Sequence, residues 1–243
     1  MSNDLDGKNA LVIGGSRGIG RAVVQHLATA GAAVAFSYVS NKEAAATVVD
    51  EVQRAGGTAT AFRADLGRVS EVRELFAQAE DALGPLDIVV ANAGIAILKP
   101  LADCTEEEYD QVFGANAKGT FFALQEAARR IRDGGRIVVV STGGTKMWFT
   151  ETSLYLGSKG AVEQFARVLS RELGPREITV NVVSPGFTDT DLLPERDREV
   201  AASMSAFGRV GSPAEVADVI GYLASDAARW VTGQNLAAGG GVF

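Results

Sequence analysis

The stretch Asn9-Ala10-Leu11-Val12-Ile13-Gly14-Gly15-Ser16-Arg17-Gly18-Ile19-Gly20 opens as a short apolar run. It passes through a glycine-rich loop and leads into Val23, Val24, Leu27 and Ala28 at helical spacing. The order is strand, glycine loop, helix. Glycines let a backbone approach a ligand closely, and the helix N-terminus that follows offers free N–H groups and the positive end of its dipole. Such a stretch predicts an anion site of the kind a pyrophosphate takes, with Gly14, Ser16, Arg17, Gly18, Ile19 and Gly20 around it. The spacing is Gly-x-x-x-Gly-x-Gly. It differs both from the commonest dinucleotide fingerprint, Gly-x-Gly-x-x-Gly, and from the Gly-Lys-Ser/Thr ending of a P-loop.

Outward from this stretch the alternation continues. Gly31 stops the first helix, and residues 33–38 read as a second buried strand. A helix over 41–55 ends at Gly56-Gly57; a strand over 58–63 leads to Asp65-Leu66; a helix over 69–83 ends at Gly84-Pro85. A fourth strand, 86–90, runs into Ala91-Asn92-Ala93-Gly94. Thr105-Glu106-Glu107-Glu108 is a capping box for a helix extending toward Ile131. Its Tyr109, Val112, Phe113, Phe121, Phe122 and Leu124 have helical spacing and read as core or helix interface. Asn116 is the exception, a polar amide that must find partners or cost about 1–3 kcal/mol if buried without them. Residues 136–141 make a fifth strand, nearly continuous in β-branched residues. A helix opening at Ser153 runs to Gly174-Pro175. A sixth strand over 178–183, a helix started by Ser212-Pro213-Ala214-Glu215 and a last strand at 233–238 complete the chain. Six strand–helix alternations with a seventh strand predict an α/β fold, a doubly wound parallel sheet flanked by helices, with 1–243 as one domain.

Composition narrows the function. The chain has 243 residues, with 23 basic and 30 acidic side chains and a net charge of −7. That balance gives no basic footprint for nucleic acid and no polybasic attraction to anionic lipid, so small molecules are the expected partners. A single cysteine, Cys104, and a single histidine, His26, exclude an internal disulfide and argue against a Cys/His metal site; no metal is expected. The opening residues do not form a secretory signal, and no apolar run approaches membrane-spanning length. A soluble, cytoplasmic protein is expected.

In Ser153-Leu154-Tyr155-Leu156-Gly157-Ser158-Lys159, Tyr155 and Lys159 lie four apart, which stacks them on one helix face. An ammonium beside a phenol lowers the phenol pKa from about 10 and makes it a proton donor to a carbonyl. Taken with the glycine spacing, this resembles the short-chain dehydrogenase/reductase family, classical type, and in particular its 3-oxoacyl-[acyl-carrier-protein] reductases and carbonyl reductases. The resemblance runs from about Gly7 to Gly240. It departs from the family pattern at Ile13, Ala91, Thr142 and Ala238.

The resemblance implies a Rossmann-type sheet, a nicotinamide cofactor and hydride transfer between that cofactor and a carbonyl or secondary alcohol. Tyr155 would be the general acid/base. Lys159 would lower the Tyr155 pKa and bond the nicotinamide ribose, and Asn116 would bend its helix and hold a water connected to Lys159. The carbonyl-orienting hydroxyl would lie thirteen positions before Tyr155, at Thr142; Ser141 is the alternative should a bulge swing it inward. Asp65 and Leu66 would lie against adenine, a local loop role for Asp65 being the other reading. Asn92, Ala93 and Gly94 would leave room for the nucleotide, and Pro185, Gly186 and Thr188 would sit beside the nicotinamide.

After the second strand the chain reads Tyr38-Val39-Ser40-Asn41-Lys42, with no carboxylate to repel a ribose 2′-phosphate. With Arg17 and Lys42 available, NADP(H) is favoured over NAD(H). Met147, Trp148 and Phe149 form an apolar cluster, read either as a wall of the substrate pocket or as a plug against a neighbouring subunit. Leu192 belongs to an expected mobile lid over 190–207. The substrate is expected to be a hydrophobic ketone or a 3-oxoacyl thioester. The thioester reading calls for a basic surface at the pocket mouth, for which Arg129, Arg130 and Arg132 are candidates if they reach it. A homotetramer is expected from the family. A catalytically silent NADP(H)-binding regulatory or scaffold protein on the same fold is the alternative.

Overall fold

Strands buried on both faces need apolar residues at odd and even positions alike, and that is what the runs supply. The computed structural model describes residues 4–243. In it β1 (Asn9–Ile13), β2 (Ala33–Tyr38), β3 (Thr58–Arg63), β4 (Ile88–Ala91), β5 (Arg136–Val140), β6 (Thr179–Pro185) and β7 (Asn235–Ala238) form one sheet. The order is β3-β2-β1-β4-β5-β6-β7 and every pairing is parallel. This is the expected Rossmann-type architecture.

The helices are α1 (Gly18–Thr29), α2 (Lys42–Arg54), α3 (Val69–Leu83), α4 (Glu106–Phe113), α5 (Gly119–Arg130), α6 (Ser153–Glu172), α7 (Arg198–Met204) and α8 (Pro213–Ala224). Alternation along the strands builds two cores. Ala10 and Val12 of β1, Val138 and Val140 of β5, and Val183 of β6 pack with Val23, Leu27 and Val48 and with Ile220 of α8. Leu11, Ile13, Ile137, Val139 and Val182 face the other way, onto Leu75, Phe76, Ala123 and Val162. Thus α1, α2 and α8 cover one face, and α3, α5 and α6 the other.

One long helix was expected from Thr105 to Ile131. The chain instead makes α4, a π-helical turn at Gly114–Lys118 and then α5. The extra residue of that turn is placed where Asn116 needs partners off its own helix. The Thr105 capping box forms as expected, with reciprocal bonds to Glu108. At the centre of the sheet the order reverses between β1 and β4, so their C-terminal ends diverge into a crevice, the usual ligand position in such sheets.

A candidate active site at the C-terminal ends of the strands

The glycine loop lies over β1. Gly14 has φ +84°, and a Cβ there would fall 2.8 Å from Cβ of Ala93. Gly20 admits no side chain, since its Cβ would fall on the Gly14 carbonyl, to which Asn92 Nδ2 donates at 2.8 Å. These contacts join the loop after β1 to the loop after β4. The N-terminus of α1 has no side-chain cap and no acid in its first turn. It is therefore left free to meet an anion. Arg17 is largely exposed and reaches Asp191 at 3.4 Å, and Thr190 packs near Gly18. The segment expected to form a lid thus begins beside the loop.

At the neighbouring strand ends, Tyr38 is partly buried against the first core. Asp65 Oδ1 accepts from the Gly67 N–H at 2.9 Å, the local loop role, and Leu66 is buried below Gly119. Pro185 ends β6; Gly186 packs on Gly239, and Thr188 is buried with its hydroxyl donating to the Gly186 carbonyl at 3.0 Å.

Beyond β5 the two hydroxyls part. Ser141 donates to Glu163 Oε1 at 2.6 Å, toward α6. Thr142 is extended (φ −157°, ψ 147°), accepts from the Gly144 N–H at 3.2 Å and lies close enough to the Tyr155 phenol to act on its pKa. No bulge turns Ser141 inward, because Glu163 holds it outward.

Burial raises the Tyr155 pKa and the Thr142 hydroxyl acts against that rise. This corrects the expectation of a phenol pKa lowered by Lys159. The Lys159 ammonium is itself buried, donates to the Val140 carbonyl at 2.8 Å, and has its pKa brought down to about 8 by desolvation, against the charge of Glu163. An ammonium that is itself desolvated and turned to a strand carbonyl is spent on its own solvation, and burial dominates the phenol.

Asn116 is buried and hydrogen-bonded through both ends of its amide. Its Nδ2 donates to the Ile95 carbonyl at 2.8 Å and to Ser158 Oγ at 2.9 Å; its Oδ1 accepts from the Ile95 N–H at 2.8 Å. Ser158 donates in turn to the Tyr155 carbonyl at 2.7 Å, so the π turn pins the first turn of α6. Gly94 opens a gap beside both groups: a Cβ there would lie 3.1 Å from Lys159 Nζ and 3.3 Å from Asn116 Oδ1.

Comparison with known proteins identifies relatives over nearly the whole chain. A family model described as enoyl-(acyl carrier protein) reductase matches residues 13–243. The chain is 41% identical to the versicolorin reductase stcU of Emericella nidulans, over 98% of this chain and 97% of that one. It is 42% identical to a probable tetrahydroxynaphthalene reductase of Zymoseptoria tritici, over 95% and 92%. Among solved structures, the angucycline C-6 ketoreductase LanV with bound NADP superposes with a TM-score of 0.94 at 42% identity, covering 100% of this chain and 98% of that one. The chain belongs to the short-chain dehydrogenase/reductase family. It is an oxidoreductase of that family by these matches.

The pocket side of this reductase differs from the sequence reading. Trp148 is 93% exposed, which sets it against the reading as a pocket wall and leaves the reading as a plug against a neighbouring subunit. Met147 is extended (φ −128°, ψ 176°), so neighbouring side chains alternate in direction, and Trp148 faces out between Met147 and Phe149. Phe149 meets Phe187 edge-on at 5.9 Å, and Leu192 of the lid is half-exposed. Two residues went unread in the sequence. Phe243 lays its ring on Gly143 and Gly239, beside Thr142, with Lys146 Nζ 5.4 Å from the ring centroid; a residue so distant in sequence carries no local signal. Arg63, paired in register with Tyr38, donates through Nε to the Val39 carbonyl at 3.1 Å; a cation closing β3 was legible only once β3 was known to flank β2.

Arg129, Arg130 and Arg132 are not at the pocket mouth. Arg129 and Arg130 pair with Glu126, Arg130 also with Glu80, and Arg132 with Asp87. Asp87 directly precedes β4, at the opposite end of the sheet from the site. Among the described residues no cluster could hold a metal ion, and no helix is long and apolar enough to cross a membrane.

Proposed function

We propose that this chain is an NADP(H)-dependent ketoreductase, and that its substrate carries the carbonyl on a hydrophobic, fused aromatic framework. The observation that carries the reading is the meeting of Thr142, Tyr155 and Lys159 at one strand end, beside an uncapped helix N-terminus behind a glycine loop. Relatives named for versicolorin and tetrahydroxynaphthalene, and LanV with bound NADP and rabelomycin, support the substrate class. The aromatic walls Phe149, Phe187 and Phe243 fit it. The displacement of Arg129, Arg130 and Arg132 from the mouth disfavours 3-oxoacyl groups on an acidic carrier protein.

The residues present fit the cofactor. Gly14, Gly18 and Gly20 with the α1 N-terminus would take the pyrophosphate; Arg17, Lys42 and Arg63 would take the 2′-phosphate; Thr188 would accept from the carboxamide. Bound NADPH supplies the hydride. Tyr155, kept protonated by burial, gives its proton to the carbonyl oxygen, which Thr142 holds by a donated hydrogen bond. The Lys159 ammonium, held on the Val140 carbonyl, would bond the nicotinamide ribose. A water in the gap at Gly94, between Asn116 and Lys159, would restore the proton. General acid help of this kind is worth about 10²–10⁴ in rate.

The test is NADPH consumption by purified protein with a panel of fused-ring aryl ketones, simple ketones and acetoacetyl thioester. Fused-ring ketones should show the highest kcat/KM, and Tyr155→Phe should lose nearly all turnover while binding NADPH within a few fold of the parent. A preference for the thioester would reverse the substrate assignment. Tight NADPH binding with no turnover on any carbonyl would return the regulatory reading. The exposed aromatic residues of α4 and α5 support a homotetramer, and the lone thiol supports a cytoplasmic site of action.

A further inference from the structure

Glu163 follows Lys159 by one turn of α6, on the side facing the end of β5. Its Oε1 accepts from Ser141 Oγ at 2.6 Å and from Thr145 Oγ at 2.7 Å. One carboxylate oxygen therefore grips the residue before Thr142 and the residue three after it. A carboxylate only accepts, so both hydroxyls must spend their protons on it. The Thr145 hydroxyl also lies 3.0 Å from the Thr142 carbonyl, and the Gly144 N–H donates to Thr142 Oγ. With that lone pair occupied and its neighbours tied back, the Thr142 hydroxyl has its proton free toward Tyr155.

We propose that Glu163 is a positioning residue for the reacting cluster: it fastens the Ser141–Thr145 turn so that the Thr142 hydroxyl faces the Tyr155 phenol, and it sets a negative charge beside the buried ammonium of Lys159. This rests on the reading of Thr142, Tyr155 and Lys159 given above. Both functions come from one side chain because α6 carries Lys159 and Glu163 on the same face, and because β5 ends against that face. The groups around Lys159 define its field. On its own helix are Tyr155 and Glu163, with Arg167 one turn further, exposed and lining the same cleft as Glu163, Gln234 and Asn235. From β5 comes the Val140 carbonyl, and from the π turn the uncharged Asn116 amide. The Glu163 charge is the one that acts to raise the Lys159 pKa against burial.

Glu163→Gln keeps an acceptor for both hydroxyls and removes the charge. Its alkaline limb of kcat/KM should move to lower pH by about one unit. Glu163→Leu removes the grip as well, so kcat should fall by about tenfold or more, and Thr142→Val should cost much less in that background than in the parent. NADPH binding, read by fluorescence, reports that each variant is folded. Should Glu163→Leu not fold, Ser141→Ala with Thr145→Val leaves the carboxylate in place and is expected to show the same non-additivity with Thr142→Val. A limb that stays put in Glu163→Gln overturns the electrostatic role; strictly additive losses with Thr142→Val overturn the positioning role. Because the parent is assayed alongside, a parent that binds NADPH but reduces no carbonyl defeats the proposed function and this inference with it. An active parent with silent Glu163 variants defeats this inference alone.

Discussion

Lys159 is a buried cation held in place at the expense of the fold. Its pKa in the folded chain, about 8, lies below the ordinary 10.5. Between those values the folded state binds fewer protons than the unfolded one, so stability rises with pH across that window. Below about pH 8 the penalty is fully present, and for a shift of that size it is about 3 kcal/mol. Lys159→Met should therefore abolish turnover and yet raise the thermal midpoint near neutral pH. The gain will be smaller than that figure because the Val140 carbonyl loses its donor. Thermal scans at several pH values check this: the variant's advantage should shrink above pH 8, and a midpoint that drops at neutral pH would make the lost hydrogen bond dominant. Thr142 is tested in the opposite sense, by activity with little change in stability. Thr142→Val keeps the shape and removes the donor, so kcat/KM should fall by about 10–10³, with Thr142→Ser remaining active. A silent Thr142→Val would leave Tyr155 and Lys159 to hold the carbonyl alone.

At the scale of elements, the ends of β1, β2 and β3 together form one cationic rim. Arg17 follows β1, Lys42 opens α2 after β2, and Arg63 closes β3 with its guanidinium anchored on Val39. Arg63→Ala and Arg17→Ala should each reduce the preference for NADPH over NADH, each removing a charge-assisted partner worth about 1.5–3 kcal/mol. The paired kcat/KM values for the two cofactors measure it; a ratio unchanged in both variants would pass the preference to Lys42 or refute it. This rim also shows what a sequence reveals. Arg17 and Lys42 were legible because they sit beside motifs, whereas Arg63 acquires meaning only from the pairing of β3 with β2. The strands and the glycine loop were legible because period and punctuation are local signals. The spacing from Tyr155 pointed to Thr142, but the reason Ser141 is excluded, a carboxylate on α6, is a tertiary contact. Trp148 could not be placed for the complementary reason: apolar character gives no direction, and the extended loop turns it away from the pocket side. The π turn at Asn116 was read as a bend in a continuous helix, since one added residue leaves the apolar spacing nearly intact.

The whole molecule leaves an aromatic surface uncovered on the side opposite α1 and α8. Tyr109 and Phe113 of α4 stack at 4.3 Å, and Phe121 of α5 meets Phe122 and Phe165 edge-on at 5.4 and 5.2 Å. Of these, Tyr109 and Phe121 are close to half exposed, and Val168 of α6 lies more than half exposed beyond them. Three helices, α4, α5 and α6, presenting such residues form a face that a second copy can cover through isologous contacts, giving closed symmetry. The same helices carry Asn116 at their junction and Tyr155 at the start of α6, so association would stiffen the frame of the site without touching it. Phe121→Arg places a charge at the centre of this face, and two such charges meet across a two-fold axis. Sedimentation at micromolar concentration should show the parent at a multiple of the 25.3 kDa chain mass and the variant at a smaller multiple. Its turnover, measured at the same concentration, should fall less than its mass, since no residue of the reacting cluster is removed. A parent that sediments as a single chain would refute the association, and a variant that keeps the parent's mass would move the interface to another face.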